Sequence, residues 1–352
     1  MALPSGLDPE FMIQETMRVI HPFVFLIVSV TFAQSQTVLM PSGLKKEVEA
    51  VALANPSLKP LFYDDAQDAL EKVSAAEGYI GGPDEALMKA GAKLRWVHIF
   101  SAGIENYRDL PGFPDGRVQM TSLKIYQGPE IADHAFALLL HLTRNIGDYQ
   151  RAQEDAEWTK SSKPTLPLTE LRGRTLLVVG YGGIGTQVAE RAKAFGMTVH
   201  AIDLNDIPLT VTLAKTGKPD ELQAMLSEAD VVVNCLPITP ATENMIGPAE
   251  FAKMKQGTYF INVSRGKVVN TAALVKALQD GLLAGAGLDV VDPEPLPKDS
   301  PLWKMPNVII TPHVAGVSDA RNGRQNALIL ENLARFARDL PLKNLVDPVK
   351  GF

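Results

Sequence analysis

The sequence predicts an α/β protein with two parallel-sheet domains, and three observations predict it. The chain has 352 residues, long for a single hydrophobic core. Short apolar runs alternate with amphipathic segments through most of its length, the pattern of βα units feeding a parallel sheet. That alternation starts twice, once near Thr37 and again near Leu176, so the chain carries two such series.

Taken in order, "TVLMP" reads as a strand, "SGLKKEVEAVALANP" as a helix, "LKPLFY" as a strand and "DDAQDALEKVSAAE" as a helix. "GYIGG", "LRWVHIF" and "VQMTS" follow as strands with loops between them. "PEIADHAFALLLHLTRNIGDYQRAQ" has apolar residues on most of its turns and reads as one long, largely buried helix. The second βα series runs from Leu176 to about Pro312, and a helical tail from Ser318 to Leu340 ends the pattern.

Ahead of Thr37 the reading is different. "MALPSGLDPEF" has the composition of an appended tag, with Met12 or Met17 as alternative starts. The next segment, "MRVIHPFVFLIVSVTFAQSQ", places Arg18 before an apolar run from Pro22 to Ala33, with small residues at Ala33 and Ser35. That is a signal-peptide pattern, too short to span a membrane; the alternative is an extra buried strand or a misplaced start codon. The expected location is cytoplasmic, or exported to the periplasm if residues 17–35 are a signal peptide.

Composition removes several classes of function. A net charge of −6 without a long run of Lys or Arg argues against nucleic acid or a membrane as partner. Cys235 is the only cysteine, so neither an intrachain disulfide nor a thiolate zinc site is expected. His134 and His141 are seven apart, not the i, i+4 spacing of a metal pair, and read as helix packing, so no metal is expected. His98 and His200 carry no usable signal, and His21 belongs to the doubtful leader.

The second series opens on "LLVVGYGGIGTQVAERAKAFGMTVHAIDLN". Gly180, Gly182 and Gly185 form a G-x-G-x-x-G between a strand and a helix. The first glycine permits a tight turn, the second lets backbone approach a pyrophosphate, and the third lets helix pack on strand. The helix N-terminus adds free N–H groups and a positive dipole end. Asp203 closes the following strand, where a carboxylate can accept both ribose hydroxyls and repel a 2′-phosphate. The pattern predicts a dinucleotide site in a Rossmann-like domain, with NAD favoured over NADP.

A nicotinamide enzyme acting on a carbonyl must hold its substrate and move one proton. Three stretches offer the groups, each just after a strand: Arg265 in "NVSRGKVVN", Glu294 in "GLDVVDPEPLP" and His313 in "VIITPHVAG". Loops at the C-terminal ends of parallel strands are where sites gather in open α/β sheets.

Six separated motifs in one order now carry a resemblance. "SAGIENY", "YQGPEIADHAFALLL", "VVGYGGIG" with "AIDLN", "NCLPITPATENMIG", "INVSRGKVVN", and "GLDVVDPEPLP" with "TPHVAG" resemble the D-isomer-specific 2-hydroxyacid dehydrogenases, relatives of glycerate, hydroxypyruvate and phosphoglycerate dehydrogenases. The likeness runs from about Thr37 to Leu345. It implies a discontinuous, flavodoxin-like substrate domain, residues 37–124 and 318–352, around an NAD-binding Rossmann domain, residues 125–317, after a leader of residues 1–36. It also implies a homodimer formed through the long helix near residues 131–150, and a small 2-oxo or 2-hydroxy acid as substrate.

Residue by residue, the resemblance implies Arg265, Glu294 and His313 as the catalytic trio. Arg265 has a rigid fork of donors suited to a 2-oxo acid's carboxylate and carbonyl oxygen. His313 can give a proton to the developing alkoxide and take it back in the reverse direction. Glu294 is expected to orient the imidazole and favour its charged form. Ser101, Ala102, Gly103 and Ile104 are expected to aim backbone N–H groups at the substrate carboxylate. Asp289 is expected to meet the nicotinamide amide, and Leu236, Pro237 and Thr242 to line the adenosine and ribose side. Gly180, Gly182, Gly183, Ile184, Gly185, Asp203, Val263, His313 and Gly316 complete the implied coenzyme contacts.

Two positions depart from the resemblance: Gly183 stands where an Arg is common, and Asp133 where a Glu is usual. A short-chain dehydrogenase would need a Lys four residues after a Tyr, which none of the seven tyrosines has, and a zinc alcohol dehydrogenase needs more cysteines. The alternatives left open are a non-catalytic, NAD-sensing, corepressor-like protein on the same fold and a phosphite or formate dehydrogenase relative.

Overall fold

A computed structural model describes residues 35–158, 165–208 and 210–352. The tag and nearly all of the signal-peptide pattern therefore lie outside the described residues. Within these, no helix is long and apolar enough to cross a membrane.

The first lobe contains β1 (Gln36–Pro41), α1 (Lys45–Ala54), β2 (Leu58–Tyr63), α2 (Ala66–Lys72), β3 (Gly78–Ile80), α3 (Glu85–Ala90), β4 (Trp96–His98) and β5 (Gln119–Thr121). Its five strands are parallel in the order β2-β1-β3-β4-β5, the flavodoxin-like order. Pro60 is tolerated in β2 because that strand lies at the sheet edge. The helix α3 replaces an expected loop: Asp84 caps it by accepting from the Leu87 N–H at 2.8 Å. Six residues are too few to display a helical period.

The expected single long helix is two. α4 (Gly128–Thr143) is largely buried, whereas α5 (Ile146–Glu154) buries no residue. Asn145 breaks them apart at φ 51°. Its side-chain amide donates to the Leu166 carbonyl at 2.5 Å and accepts from the Leu166 N–H at 3.1 Å, which holds the left-handed turn.

The second lobe runs through β6 (Thr175–Val179), α6 (Gly183–Ala194), β7 (Thr198–Ile202), β8 (Lys215–Gly217), α7 (Leu222–Leu226), β9 (Val231–Asn234), α8 (Pro248–Lys253), β10 (Thr258–Asn262), α9 (Thr271–Gln279), β11 (Leu283–Leu288) and β12 (Val308–Ile310). Its seven parallel strands lie in the order β12-β11-β10-β9-β6-β7-β8. Counted from β6, this is the dinucleotide-binding order with one added strand. Along β6, Leu176 and Val178 enter the core on one face while Leu177 and Val179 enter the core on the other. Burial on both faces is why the run "LLVV" is continuously apolar.

The chain then returns to the first lobe. α10 (Arg321–Phe336), shorter at both ends than the expected tail helix, sends Ile329, Leu333 and Phe336 into the core built by Val38, Met40 and Trp96. Val346 N donates to Met120 O at 2.8 Å, and Leu345 bridges Thr121.

Candidate active site

The strand order reverses between β6 and β9, and a cavity of about 1420 Å3 opens there. Its wall combines the glycine turn and Asp203 with the turn after β9, Arg265 after β10, and Ala102–Glu105 from the first lobe.

Each glycine of the turn has a different physical reason. Gly180 takes φ +97°, a region closed to most L side chains. A Cβ on Gly185 would strike the Gly180 carbonyl, so only glycine lets α6 sit this close to β6. Around Gly182 a Cβ would meet no protein atom within 4 Å; the space there is open for a ligand. At Gly183 a Cβ would collide with the backbone of Lys124 and Ile125, so the segment entering α4 takes the room a larger residue would need.

Asp203 follows β7 and lines the same cavity. Its Oδ2 accepts from Tyr181 N in the glycine turn at 2.8 Å and its Oδ1 from Asn205 N at 2.8 Å. Both oxygens keep acceptor capacity for ribose hydroxyls. In the turn after β9, Thr242 Oγ1 donates to Pro237 O at 2.7 Å and accepts from Thr239 N at 2.8 Å, fixing the backbone beside Leu236. Cys235 packs against the core, where burial pushes its thiol up to about 12, so it stays a neutral thiol.

Arg265 is held by a buried polar cluster that the sequence reading missed. Asn234 and Asn262 end β9 and β10; Asn234 Nδ2 donates to Asn262 Oδ1 at 3.1 Å and to Ser264 Oγ at 2.8 Å. Asn262 Nδ2 then donates to the Arg265 carbonyl at 3.3 Å. The guanidinium itself donates to Ser264 O and to Glu105 of the first lobe. The signal was present: "VVVN" and "TYFIN" are apolar runs that each end on an amide side chain.

His313 and Glu294 lie past the ends of β12 and β11; β11 neighbours β10, and β12 is the next strand outward. His313 Nδ1 and Glu294 Oε2 are 2.9 Å apart. An ionised carboxylate only accepts, so Nδ1 carries the proton and Nε2 is left for chemistry. Glu294 Oε1 accepts from Val291 N at 3.1 Å, which steadies the carboxylate. His313 has φ 55°, a left-handed conformation uncommon outside glycine, and its N–H donates to Asp289 O at 2.8 Å.

Asp289 is the anchor of that loop. Buried after β11, its carboxylate accepts from Val314 N at 2.9 Å, Ala315 N at 3.0 Å and Thr311 Oγ1 at 2.7 Å. His134 Nε2 meets Thr311 Oγ1 at 2.8 Å, which ties α4 to the strand that leads to His313. No group of three metal-binding side chains occurs among the described residues.

Of the candidate residues, Ala102, Gly103, Ile104, Gly180, Gly182, Gly183, Ile184, Asp203, Leu236, Pro237, Thr242 and Arg265 line the cavity. Ser101, Gly185, Val263, Asp289, Glu294, His313 and Gly316 do not. Gly185 lets helix pack on strand as expected, Val263 lies in the core, Asp289 supports backbone, and Ser101 Oγ donates to Gly103 O at 2.7 Å. His313 and Glu294 stand outside the wall with side chains 48% and 37% exposed. They reach the Arg265 edge through their loops: a Cβ on Gly266 would strike the Val291 carbonyl, so the segments carrying Arg265 and Glu294 touch.

These residues fit a dinucleotide. The turn has an open face at Gly182, a helix N-terminus behind it, the Asp203 carboxylate at the end of β7 and a large cavity leading to Arg265.

Comparison with known proteins agrees. The family profile described as "D-isomer specific 2-hydroxyacid dehydrogenase, NAD binding domain" matches residues 136–315. A glyoxylate reductase of Korarchaeum cryptofilum is 36% identical over 75% of this chain and 79% of its own length. A glyoxylate/hydroxypyruvate reductase B of Klebsiella pneumoniae is 35% identical over 83% of this chain and 91% of its own. The crystal structure of a D-isomer specific 2-hydroxyacid dehydrogenase from Xanthobacter autotrophicus, in complex with NADPH and MES, superposes with a TM-score of 0.75 at 28% identity, covering 90% of this chain and all of that one. With the fold, the glycine cavity and these matches together, the chain belongs to the D-isomer-specific 2-hydroxyacid dehydrogenase family, a family of oxidoreductases.

Proposed function

We propose that the protein reduces a small 2-oxo acid to the D-2-hydroxy acid with NADH, and catalyses the reverse oxidation, with glyoxylate and hydroxypyruvate as the first substrates to test. The observation that carries this reading is that Arg265, Glu294 and His313 follow the ends of three successive strands, β10, β11 and β12, with Arg265 on the wall of the cavity that holds the glycine turn.

The bound dihydronicotinamide supplies the hydride. Gly180–Gly185 and the α6 N-terminus hold the pyrophosphate, and Asp203 holds the ribose. Arg265 binds the substrate carboxylate with its remaining N–H donors, helped by backbone N–H groups of Ser101–Ile104. His313, oriented through Nδ1 by Glu294, gives an Nε2 proton to the substrate oxygen as it becomes an alkoxide. Asp289 acts through backbone, fixing the loop that carries His313.

Residues 37–124 with 318–352 form the substrate domain and residues 125–317 the coenzyme domain. The protein works as a homodimer through α4 and α5, a reading supported by exposed Ile146 and Tyr149 on α5. The need for reduced coenzyme favours the cytoplasm.

The test is an initial-rate screen of glyoxylate, hydroxypyruvate, pyruvate and bulkier 2-oxo acids with NADH and NADPH. Turnover with a small 2-oxo acid is expected; tight NADH binding without turnover on any of them would instead favour a coenzyme sensor.

A further inference from the structure

An arginine that grips a small anion must itself be held, or binding costs the freedom of a long side chain. Arg265 is held from the opposite lobe. Glu105, directly after the Ser101–Ile104 loop, accepts from Arg265 Nε at 2.8 Å through its Oε1. Arg265 Nη1 donates to its neighbour's carbonyl, Ser264 O, at 2.7 Å. A guanidinium has about five N–H donors, so these contacts leave enough for a two-point grip on a carboxylate.

The pair is also packed. A Cβ on Gly103 would collide with both Arg265 Nη2 and the Glu105 carboxylate, so the ion pair lies against bare loop backbone. Glu105, Gly103 and Arg265 all line the cavity that contains the glycine turn. The two side chains are 33% and 30% exposed, shielded enough for the geometry to matter.

We propose that Glu105 is a positioning residue. It fixes the Nε edge of Arg265, turns the remaining donors toward the substrate carboxylate, and makes that grip depend on the two lobes standing together. This rests on the reading of Arg265 as the carboxylate clamp. Competition with substrate is the opposite role, and it is disfavoured because Glu105 occupies one donor and leaves a fork free.

The test compares wild type, Glu105→Ala and Glu105→Gln, with glyoxylate turnover and with binding of oxamate, a non-reducible analogue, to the NADH-loaded protein. Glu105→Ala is expected to raise the glyoxylate KM and the oxamate Kd together by about tenfold, the worth of one charge-assisted hydrogen bond. NADH affinity should stay within about twofold of wild type, because the coenzyme contacts are untouched. Glu105→Gln keeps an acceptor for Nε and should recover most of the loss, which a mere packing role would not require. An unchanged or lowered oxamate Kd in Glu105→Ala overturns the proposal, a lowered one showing competition. A wild type that binds oxamate without turnover defeats the dehydrogenase reading alone. A wild type that binds no oxamate defeats the clamp reading and this inference with it.

Discussion

At the glycine turn backbone shapes the site; at the Arg265–His313 edge side chains do. The turn is one contiguous stretch whose geometry follows from missing Cβ atoms at Gly180, Gly183 and Gly185, and Asp203 is locked to it by a 2.8 Å bond. The other edge draws on three strand ends and a loop of the first lobe. Its Arg265–Glu105 and His313–Glu294 pairs are a third to a half exposed. A surface for an unreacting pyrophosphate can be rigid and built in. On the proposed mechanism, groups that transfer a proton or close on a small acid must be adjustable; Arg265 and His313 are supported from behind by buried Asn234, Asn262 and Asp289.

Substitutions should separate these two edges. The largest effect is expected from His313→Gln: loss of the proton donor should lower 2-oxo acid reduction by about 10²–10⁴ while NADH affinity holds. Wild-type turnover in that variant would break the division of labour. Next, Gly185→Val places side-chain atoms against the Gly180 carbonyl, an overpacking worth about 1–3 kcal/mol. NADH titration should show Kd raised about tenfold with a lower Tm; an unchanged Kd and Tm would mean the turn is not rigid. A smaller, several-fold change is expected for Asp203→Ala, as a narrowed preference for NADH over NADPH in kcat/KM. An unchanged ratio would move ribose recognition elsewhere.

The smallest effect belongs to the first lobe, away from both edges. Burial holds the His98 imidazole down at about 4, from the usual 6.5, with Nδ1 2.8 Å from Thr121 Oγ1. Between those values the unfolded chain binds a proton that the folded one refuses, so stability falls as pH drops from 6.5 towards 4. His98→Asn should give a shallower fall of Tm over that window; an identical slope would exclude His98 as its source.

The fold class and the glycine turn were legible because their causes are local: apolar strands buried on both faces, and glycines spaced by backbone geometry. Arg265, Glu294 and His313 were legible as candidates from their positions after strands. What the sequence hid depends on distant partners. The break at Asn145 needs Leu166, twenty-one residues on. Glu105 meets Arg265, 160 positions later, only in the folded chain. At Gly183, where the resemblance implies an Arg, the Lys124–Ile125 backbone, remote in sequence, takes the room a side chain would need. The grip of Asp289 on the His313 loop accompanies a left-handed φ at His313 that no spacing announces.

On the proposed mechanism, one small acid touches Arg265 and His313 at once. A crystal structure of the protein with NAD and oxamate tests it most directly. The oxamate carboxylate is expected on the Arg265 guanidinium, with its adjacent carbonyl oxygen within hydrogen-bond distance of His313 Nε2. Oxamate bound at Arg265 with His313 turned to solvent, or bound away from both, would contradict it.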